Sequence, residues 1–372
     1  MSVYADWNAT HPLRPEAAAA MIAWSGVPAN PSSAHAAGRA ARRALDEARA
    51  RIAERLQVPP DGVVFTSGAT EANALALHGL WARGHRHVLA SPHEHASLAD
   101  GLTTWEARGG VVTWMPVDVH GRAQPVPCDA DVAVLIAAQH ETGVVQPVHE
   151  LLRAAPRAWR HVDATQQVAW GPLPDADSLA VSAHKVGGPV GIGALVFPGG
   201  GRGFPALFAG SQERGRRAGT TPVALAAGFA AALDACHTER DAAVGLVARA
   251  RTAVEAAVRS LGGVVHGEGV ERLPNTVAAS FDALTGEALV ASLDLLGVAA
   301  SAGAACASGA SEASPALRAI GWPNPNALLR LSLGPDLDDD RVATLIAALR
   351  AAVTQAREAE AWAVDGDAGF HR

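Results

Sequence analysis

Short runs of apolar residues recur at regular intervals through the first half of the chain. Within each run nearly every position is apolar, and segments with helical spacing or turn-forming residues separate most of the runs. The seven runs are 63–66, 87–91, 111–117, 132–138, 161–165, 179–182 and 192–197. Strands that are apolar on both faces and alternate with helices are typical of a parallel sheet covered by helices. The pattern therefore predicts an α/β fold with a mostly parallel, seven-stranded sheet.

A second structural unit is predicted beyond this sheet. Between about 221 and 261 the chain is alanine-rich and helical in pattern, with no strand. The segments predicted after it are a strand at 276–281, a helix at 286–296, a strand at 328–333 and a terminal helix opened by 338–340. A chain of this length suits two domains. We expect a large domain (16–245), a smaller α+β domain (246–372) and an N-terminal segment (1–15) packed with the smaller one.

Composition and charge narrow the class of protein. The 372 residues are 49% hydrophobic and 18% charged, with a net charge of -7, which argues against direct binding of nucleic acid. No apolar run reaches the length of a membrane span, and residues 1–6 do not resemble a secretory signal. The three cysteines (Cys128, Cys236 and Cys306) are widely spaced and form no CxxC pair. We therefore expect no metal site and a cytoplasmic location.

A lysine at a strand end is the strongest chemical signal. The apolar run 179–182 leads into Lys185, and a glycine-rich stretch, 187–193, follows. Glycines at such a point allow a planar cofactor to approach the backbone closely. Enzymes that use pyridoxal 5′-phosphate (PLP) need a lysine as Schiff base and an acidic partner for the pyridine nitrogen. Asp163, at the end of the preceding run, is the candidate partner, although a lysine on a surface turn would leave the same local pattern.

Other strand ends carry further candidates. The small-residue turn before Thr70 could present backbone N–H groups to a phosphate, or could merely cap a helix. His95 follows another run and could stack on a flat ring and move protons, or could be an ordinary loop histidine. Gln166, just after Asp163, could donate a hydrogen bond to the ring's phenolate oxygen.

The second half of the chain adds an arginine and a cysteine. Arg330 interrupts an apolar strand, where it could form a structural ion pair or present its planar fork to a carboxylate. Cys306 lies among small residues in 301–310, without the bulky neighbours of a buried structural cysteine, so its thiol could act as a nucleophile. The basic turn that contains Thr220 suits a phosphate or a contact between subunits.

Taken in order, these segments resemble the NifS/IscS-type cysteine desulfurases, a group of class V aminotransferases with the fold-type I architecture of PLP enzymes. The resemblance runs nearly end to end. The matching segments are 6–10, 30–35, 65–71, 94–95, 141–146, 161–166, 182–185, 217–220, 305–306 and Arg330. Each string is short and common alone, whereas the ordered set is specific.

The resemblance implies a PLP-dependent enzyme that converts L-cysteine to L-alanine. Lys185 would hold PLP, His95 would stack on its ring, and Cys306 would receive the sulfur as a persulfide. Arg330 and Asn8 would bind the substrate. The remaining cofactor contacts implied are Ala69, Thr70, Asp163, Gln166, Ser182, His184, His140 and, from the neighbouring subunit of a homodimer, Thr220. A protein of unspecified identity would accept the sulfur.

The chain departs from the family pattern at several points. His140 stands where the family has an asparagine beside the cofactor and substrate, and residues 301–304 lack the usual serines. The chain also ends soon after its last predicted helix, where typical members continue into an extension that iron–sulfur scaffold proteins bind. Two alternatives stay open: a selenocysteine lyase or another C–S lyase of the same group, and a weakly active partner protein in sulfur trafficking.

Overall fold

A computed structural model of the protein describes residues 2–28, 30–124, 126–205, 210–303 and 313–368. Its helices are α1 (Pro15–Ser25), α2 (Ala36–Leu56), α3 (Ala69–Ala82), α4 (Ala96–Ala107), α5 (Val148–Ala154), α6 (Val223–Ser260), α7 (Gly286–Leu295), α8 (Pro315–Ala319) and α9 (Asp339–Ala368). Within these described parts, none of the helices combines the length and the apolar character that crossing a membrane requires.

The strands follow the predicted apolar runs and add several short ones. They are β1 (Val3–Tyr4), β2 (Val63–Thr66), β3 (His87–Ala90), β4 (Val111–Trp114), β5 (Val132–Ile136), β6 (Trp159–Asp163), β7 (Ser178–Ser182), β8 (Gly193–Val196), β9 (Val264–Val265), β10 (Thr276–Ser280), β11 (Val298–Ala299), β12 (Ser301–Ala302) and β13 (Leu329–Ser332). The two-residue strands had no apolar run long enough to predict them.

The predicted seven-stranded sheet is confirmed. Its strand order is β2-β8-β7-β6-β5-β3-β4, and β7, β6, β5, β3 and β4 are parallel to one another. Strand β8 runs antiparallel to both of its neighbours, so the sheet is mixed but mostly parallel. The central strands β5 and β7 are buried at every position, which is why β5 is continuously apolar and β7 is apolar between its two terminal serines.

Helices cover both faces of this sheet. On one face, α1, α2 and α6 contribute Ala17, Leu45 and Phe229 to a core that also contains Leu135 of β5. On the other face, α3 and α4 pack in a second cluster with the adjacent β5 residue, Val134. Neighbouring residues of one strand thus face opposite helical layers, as the alternation of side chains along a strand requires.

A smaller antiparallel sheet, of order β12-β13-β10-β9, lies in the C-terminal part. Strand β10 supplies Val277 and α7 supplies Leu289 to a separate hydrophobic cluster, and the N-terminal residue Val3 belongs to that cluster too. Strand β1 pairs in parallel with β11. Helix α6 contributes Val247 to the core of the large sheet and Ala250 to this smaller core. The N-terminal segment then reaches the carboxyl ends of the strands of the large sheet, where ligands bind in α/β folds.

Candidate active site

A cavity of about 480 Å³ lies at the carboxyl ends of β6 and β7, where α3 and α4 begin. Nine of the residues predicted for the site line it. They are Ala69, Thr70, His95, His140, Asp163, Gln166, Ser182, His184 and Lys185. Among the described residues, the predicted site residues Asn8, Thr220 and Arg330 are not part of this lining, and Cys306 lies outside the described residues.

Asp163 ends β6 as a buried carboxylate with spare acceptor capacity. Its Oδ1 accepts a 3.0 Å hydrogen bond from the backbone N–H of Thr165, and its Oδ2 accepts a 2.8 Å bond from Nδ2 of Asn73. The residue is only 2% exposed. A carboxylate offers about four lone-pair positions, so these two bonds leave room for a further donor from the cavity. The N–H of a protonated pyridine ring has the required chemistry.

Lys185 lies in a 3₁₀ turn directly after β7. Its Nζ donates to the backbone carbonyl of Asn8 and, at 3.0 Å, to that of Ala9. The N-terminal segment therefore lies against the amine. Burial, with the positive charge of Lys185 as a second cause, lowers the pKa of the neighbouring His184 to about 4. His184 is thus neutral at pH 7 and does not add a second positive charge beside the lysine.

The turn that precedes α3 leaves the helix start without a side-chain cap, because the N-cap residue is Gly68. A Cβ atom at Gly193 of β8 would lie 2.7 Å from Cα of Gly68, so glycine is required for this close approach of two backbones. The alternative that the turn's own side chains cap the helix is therefore not realised. With Thr70 and Ser182 in the same cavity lining, the N-terminus of α3 offers backbone N–H groups to an anion.

Two histidine rings meet at the cavity. His95 is the N-cap residue of α4, and its Nδ1 accepts a 3.1 Å hydrogen bond from the backbone N–H of Ser97. The ring of His140 stands edge-on to it, with a distance of 5.1 Å between ring centroids and an angle of 74° between the rings. Burial, followed by the nearby positive charges, holds the pKa of His140 well below its ordinary value. His140 is therefore a neutral imidazole.

Arg330, on β13, reaches the N-terminal segment. Its Nη2 lies 2.8 Å from Oδ1 of Asp6, and its Nη1 donates to the backbone carbonyl of His140 at 3.2 Å. Its Nε is buried and has no hydrogen-bond partner among the described residues. Of the two interpretations left open by the sequence, the ion pair is present. The unpartnered Nε leaves one donor that a carboxylate could take.

Asn8 connects the two halves of the molecule. Its Nδ2 donates to Oγ1 of Thr276 at 2.9 Å and to the carbonyl of His140 at 3.3 Å, and its Oδ1 accepts from Asn275 at 2.9 Å. Its backbone carbonyl accepts from Nε2 of Gln166 at 3.0 Å as well as from the lysine. Both amide protons of Asn8 are therefore already used within the protein.

The last two predicted residues have different outcomes. Thr220 is exposed, in a turn whose neighbour Arg217 forms a 2.7 Å ion pair with Glu71 of α3. Cys306 lies outside the described residues. Just after this gap in the described chain, Ser314 donates a hydrogen bond from its Oγ to Oε2 of Glu141 at 2.7 Å. Glu141 directly follows His140 of the cavity.

Sequence reasoning missed several polar residues that hold this site together. Asn73, Ser97, Asp6 and Glu141 each hydrogen-bond to a residue of the site or beside the cysteine segment. Asn73 carried a weak signal, because it lies one helical turn after Thr70. The other three had no signal in the chain itself. Within the described parts of the chain, no group of three or more histidine, cysteine, aspartate or glutamate residues could hold a metal ion.

Comparison with known proteins defines the family. Residues 3–345 match the model of the family described as aminotransferase class-V. The chain belongs to this family, whose members depend on PLP. The expected resemblance and fold class are both confirmed.

Relatives and solved structures narrow the similarity further. A cysteine desulfurase from Cereibacter sphaeroides is 38% identical over 338 residues, covering 86% of this chain and 87% of the relative. The cysteine desulfurase IscS of Dictyoglomus turgidum is 35% identical, covering 86% of each chain. A solved NifS-like protein has a TM-score of 0.88 at 27% identity, over 95% of this chain and 100% of that one. A structure described as SspA in complex with cysteine has a TM-score of 0.77 at 26% identity, over 90% and 99%.

Proposed function

We propose that the protein is a cysteine desulfurase that converts L-cysteine to L-alanine and takes the sulfur onto Cys306 as a persulfide. The observation that carries this proposal is the convergence of Lys185 and Asp163 on one cavity of about 480 Å³. Relatives that cover most of the chain and are named cysteine desulfurases support the same activity.

The residues around the cavity fit PLP. Bound there, PLP supplies an electron sink for reactions at the substrate's α- and β-carbons. Lys185 would carry it as a Schiff base, and Asp163 would use its spare acceptor capacity on the pyridine N–H. His95 would lie beside the ring, and Gln166 would contact the phenolate oxygen. The phosphate would be held by Ala69, Thr70, Ser182, His184 and Thr220 of the partner subunit.

The N-terminal segment provides hydrogen-bond acceptors for the amine of Lys185. The carbonyls of Asn8 and Ala9 accept hydrogen bonds from Nζ, so they stabilise the protonated amine close to the cavity whenever it is not covalently engaged. His184 and His140 are neutral and add no positive charge beside Lys185. Lys185 Nζ is therefore our candidate for proton transfer to and from the substrate.

Arg330 and Cys306 would act on the substrate itself. We assign the guanidinium of Arg330 to the substrate carboxylate, with Asn8 keeping the surrounding backbone in place. The thiolate of Cys306 would bond to the substrate sulfur while the Cβ–S bond breaks. The electron pair of that bond stays with the carbon skeleton, which takes up a proton and leaves as alanine.

The proposal includes the organisation of the molecule. We infer domains at 16–245 and 246–372, with residues 1–15 joined to the smaller one. The change of hydrophobic core between Val247 and Ala250 and the pairing of β1 with β11 support this division. We also propose that the protein is a homodimer and that it is located in the cytoplasm, where the thiol of Cys306 would stay reduced. A further protein would accept the sulfur from Cys306.

The first test of this function is spectroscopic. The purified protein with added PLP should be yellow, and Lys185→Ala should lose the visible band of the Schiff base. A colourless protein that cannot be reconstituted would overturn the proposal.

The second test follows the sulfur. After treatment with L-cysteine, mass spectrometry should find one added sulfur on the peptide that contains Cys306, with alanine formed in step. Cys306→Ala should bind PLP but release no sulfide. Full sulfide release by Cys306→Ala would instead favour a C–S lyase that does not need this thiol.

A further inference from the structure

One buried amide joins two residues of the cavity that come from different elements. Asn73, on α3, uses both protons of Nδ2: one bond of 2.8 Å goes to Oδ2 of Asp163 and one of 2.8 Å goes to Oγ of Ser97. Oγ of Ser97 in turn lies 2.9 Å from Nδ1 of His95. The Oδ1 of Asn73 lies 2.9 Å from Nε2 of His161. Both protons of the amide NH₂ group and the amide oxygen are thus engaged in hydrogen bonds.

The orientation of this amide follows from its partners. An ionised Asp163 only accepts hydrogen bonds, so the NH₂ group of Asn73 must face it and Oδ1 must face His161. Nε2 of His161 therefore carries the ring proton, and Nδ1 accepts from the hydroxyl of Ser178 at 3.0 Å. The indole N–H of Trp159 donates to that same hydroxyl at 2.9 Å, which is consistent with this direction. Burial lowers the pKa of His161 to about 4, so its ring is neutral.

The same direction continues to His95. Because Oγ of Ser97 accepts from Asn73, its own proton is available to Nδ1 of His95, which already accepts the backbone N–H of Ser97. Two donors on Nδ1 place the proton of the His95 ring on Nε2. The orientation of one amide therefore influences both the carboxylate of Asp163 and the tautomer of His95.

We propose that Asn73 is a positioning residue that sets the carboxylate of Asp163 and the ring of His95 relative to each other across the cavity. This inference rests on the proposed function, in which the two side chains contact the cofactor ring. Asp163 lies at a strand end and His95 at the start of α4, and Asn73 links them by a side-chain network. Asn73 is fully buried and does not itself line the cavity, so it acts through these residues.

The test replaces Asn73 by Asp, which has the same shape. Asn73→Asp keeps an acceptor for His161 but removes both donated protons and sets a second carboxyl group beside Asp163. We expect the dissociation constant of PLP, measured by equilibrium dialysis, to rise roughly tenfold to a hundredfold, the range found when a metal ligand loses its hydrogen-bond partner. The visible circular dichroism of the PLP that still binds should change as well.

Ser178→Ala is the matched control. Ser178 is equally buried and belongs to the same network, but it lies beyond His161 and does not touch Asp163 or Ser97. It should lower the unfolding temperature while PLP affinity and circular dichroism stay close to those of the unaltered protein. An Asn73→Asp variant that binds PLP normally would overturn the proposal. So would equal losses of affinity in both variants, because these would indicate a purely structural role.

A double variant tests the contact between Asn73 and Asp163 in the absence of PLP. In the PLP-free full-length chain, Asn73→Asp and Asp163→Asn should each lower the unfolding temperature, and the combined swap should recover most of the loss by restoring one donor and one acceptor. PLP affinity should not recover, because the carboxylate then lies on α3. Absence of recovery in the swap would refute the direct pairing. Failure of the unaltered chain to bind PLP would instead refute the proposed function.

Discussion

The hydroxyl of Ser314 donates a 2.7 Å hydrogen bond to Oε2 of Glu141, and the backbone N–H of Ala316 donates to the same oxygen at 3.0 Å. A Cβ atom placed on Gly303 would lie 3.6 Å from the other carboxyl oxygen, Oε1. Gly303 and Ser314 lie on the two sides of the segment that contains Cys306, and Glu141 directly follows His140 of the cavity. One carboxyl group thus holds the residues that follow the cysteine segment next to the proposed cofactor site, and Gly303, which precedes the segment, lies close to the same group.

Glu141→Ala should slow the transfer of sulfur to Cys306 without reducing PLP binding. The substitution leaves the donors on Ser314 and Ala316 without their acceptor, at a cost of roughly 1–3 kcal/mol per unsatisfied group, so the end of the segment loses its anchor. The rate at which the sulfur adduct appears on the Cys306 peptide measures the effect. Glu141→Gln, which keeps a side-chain oxygen for both donors, should retain most of the rate. Equal rates in the alanine variant and the unaltered protein would contradict this role.

Asp6→Ala should raise the KM for L-cysteine more than it lowers kcat. Asp6 holds the guanidinium of Arg330, which is 5% exposed, and without Asp6 that buried charge loses its ion-pair partner and keeps its hydrogen bond to the carbonyl of His140. We expect a loss of about 2–3 kcal/mol in the free energy of unfolding, somewhat below the range for a fully buried pair. Steady-state kinetics and urea unfolding measure the two effects.

Asp6→Asn separates charge from orientation. The amide oxygen of Asn can still accept a hydrogen bond from Arg330. If Asp6 acts mainly by fixing the orientation of the guanidinium, the KM of Asp6→Asn should be closer to that of the unaltered protein than to that of Asp6→Ala. If both variants raise KM equally, the negative charge itself is what Arg330 needs.

His140→Asn should preserve PLP binding and most of the cysteine turnover. The contacts that tie this position to Arg330 and Asn8 are made by the backbone carbonyl of His140, which the substitution does not change. The imidazole itself is neutral and contributes its edge to the ring of His95. A large fall in kcat, with the fold intact by circular dichroism, would mean that the ring of His140 has a chemical role of its own.

His266→Gln should reduce the loss of stability in acid. Burial lowers the pKa of His266 to about 4, whereas the ordinary value is 6.5. Below pH 6.5 the unfolded chain binds a proton that the folded chain refuses, so stability falls as the pH drops from 6.5 toward 4. The shift corresponds to about 3 kcal/mol of stability lost through this one group. Urea unfolding at pH 7 and pH 4 should therefore show a smaller difference in the variant. The same substitution at the exposed His149 should leave the difference unchanged.

The large sheet could be predicted because its information is local. Each strand overlaps one apolar run, and β5 and the centre of β7 are apolar since both of their faces are covered by helices. The edge strand β4 is half exposed, and the predicted run 111–117 extended beyond its four residues. Strands of two residues, such as β1, escaped prediction because their hydrogen bonds depend on a partner strand far along the chain.

By itself, the sequence determined the fold class, the order of the strands in the chain and the pair Lys185 and Asp163, because strand ends, glycine positions and hydrophobic spacing are properties of neighbouring residues. Only the tertiary structure decided which partner Arg330 has, since Asp6 lies 324 positions away. It likewise decided that Asn73 bridges Asp163 to Ser97 and that Glu141 binds Ser314. Hydrogen bonds between distant side chains leave no periodic trace in a sequence, because they depend on how separate elements pack.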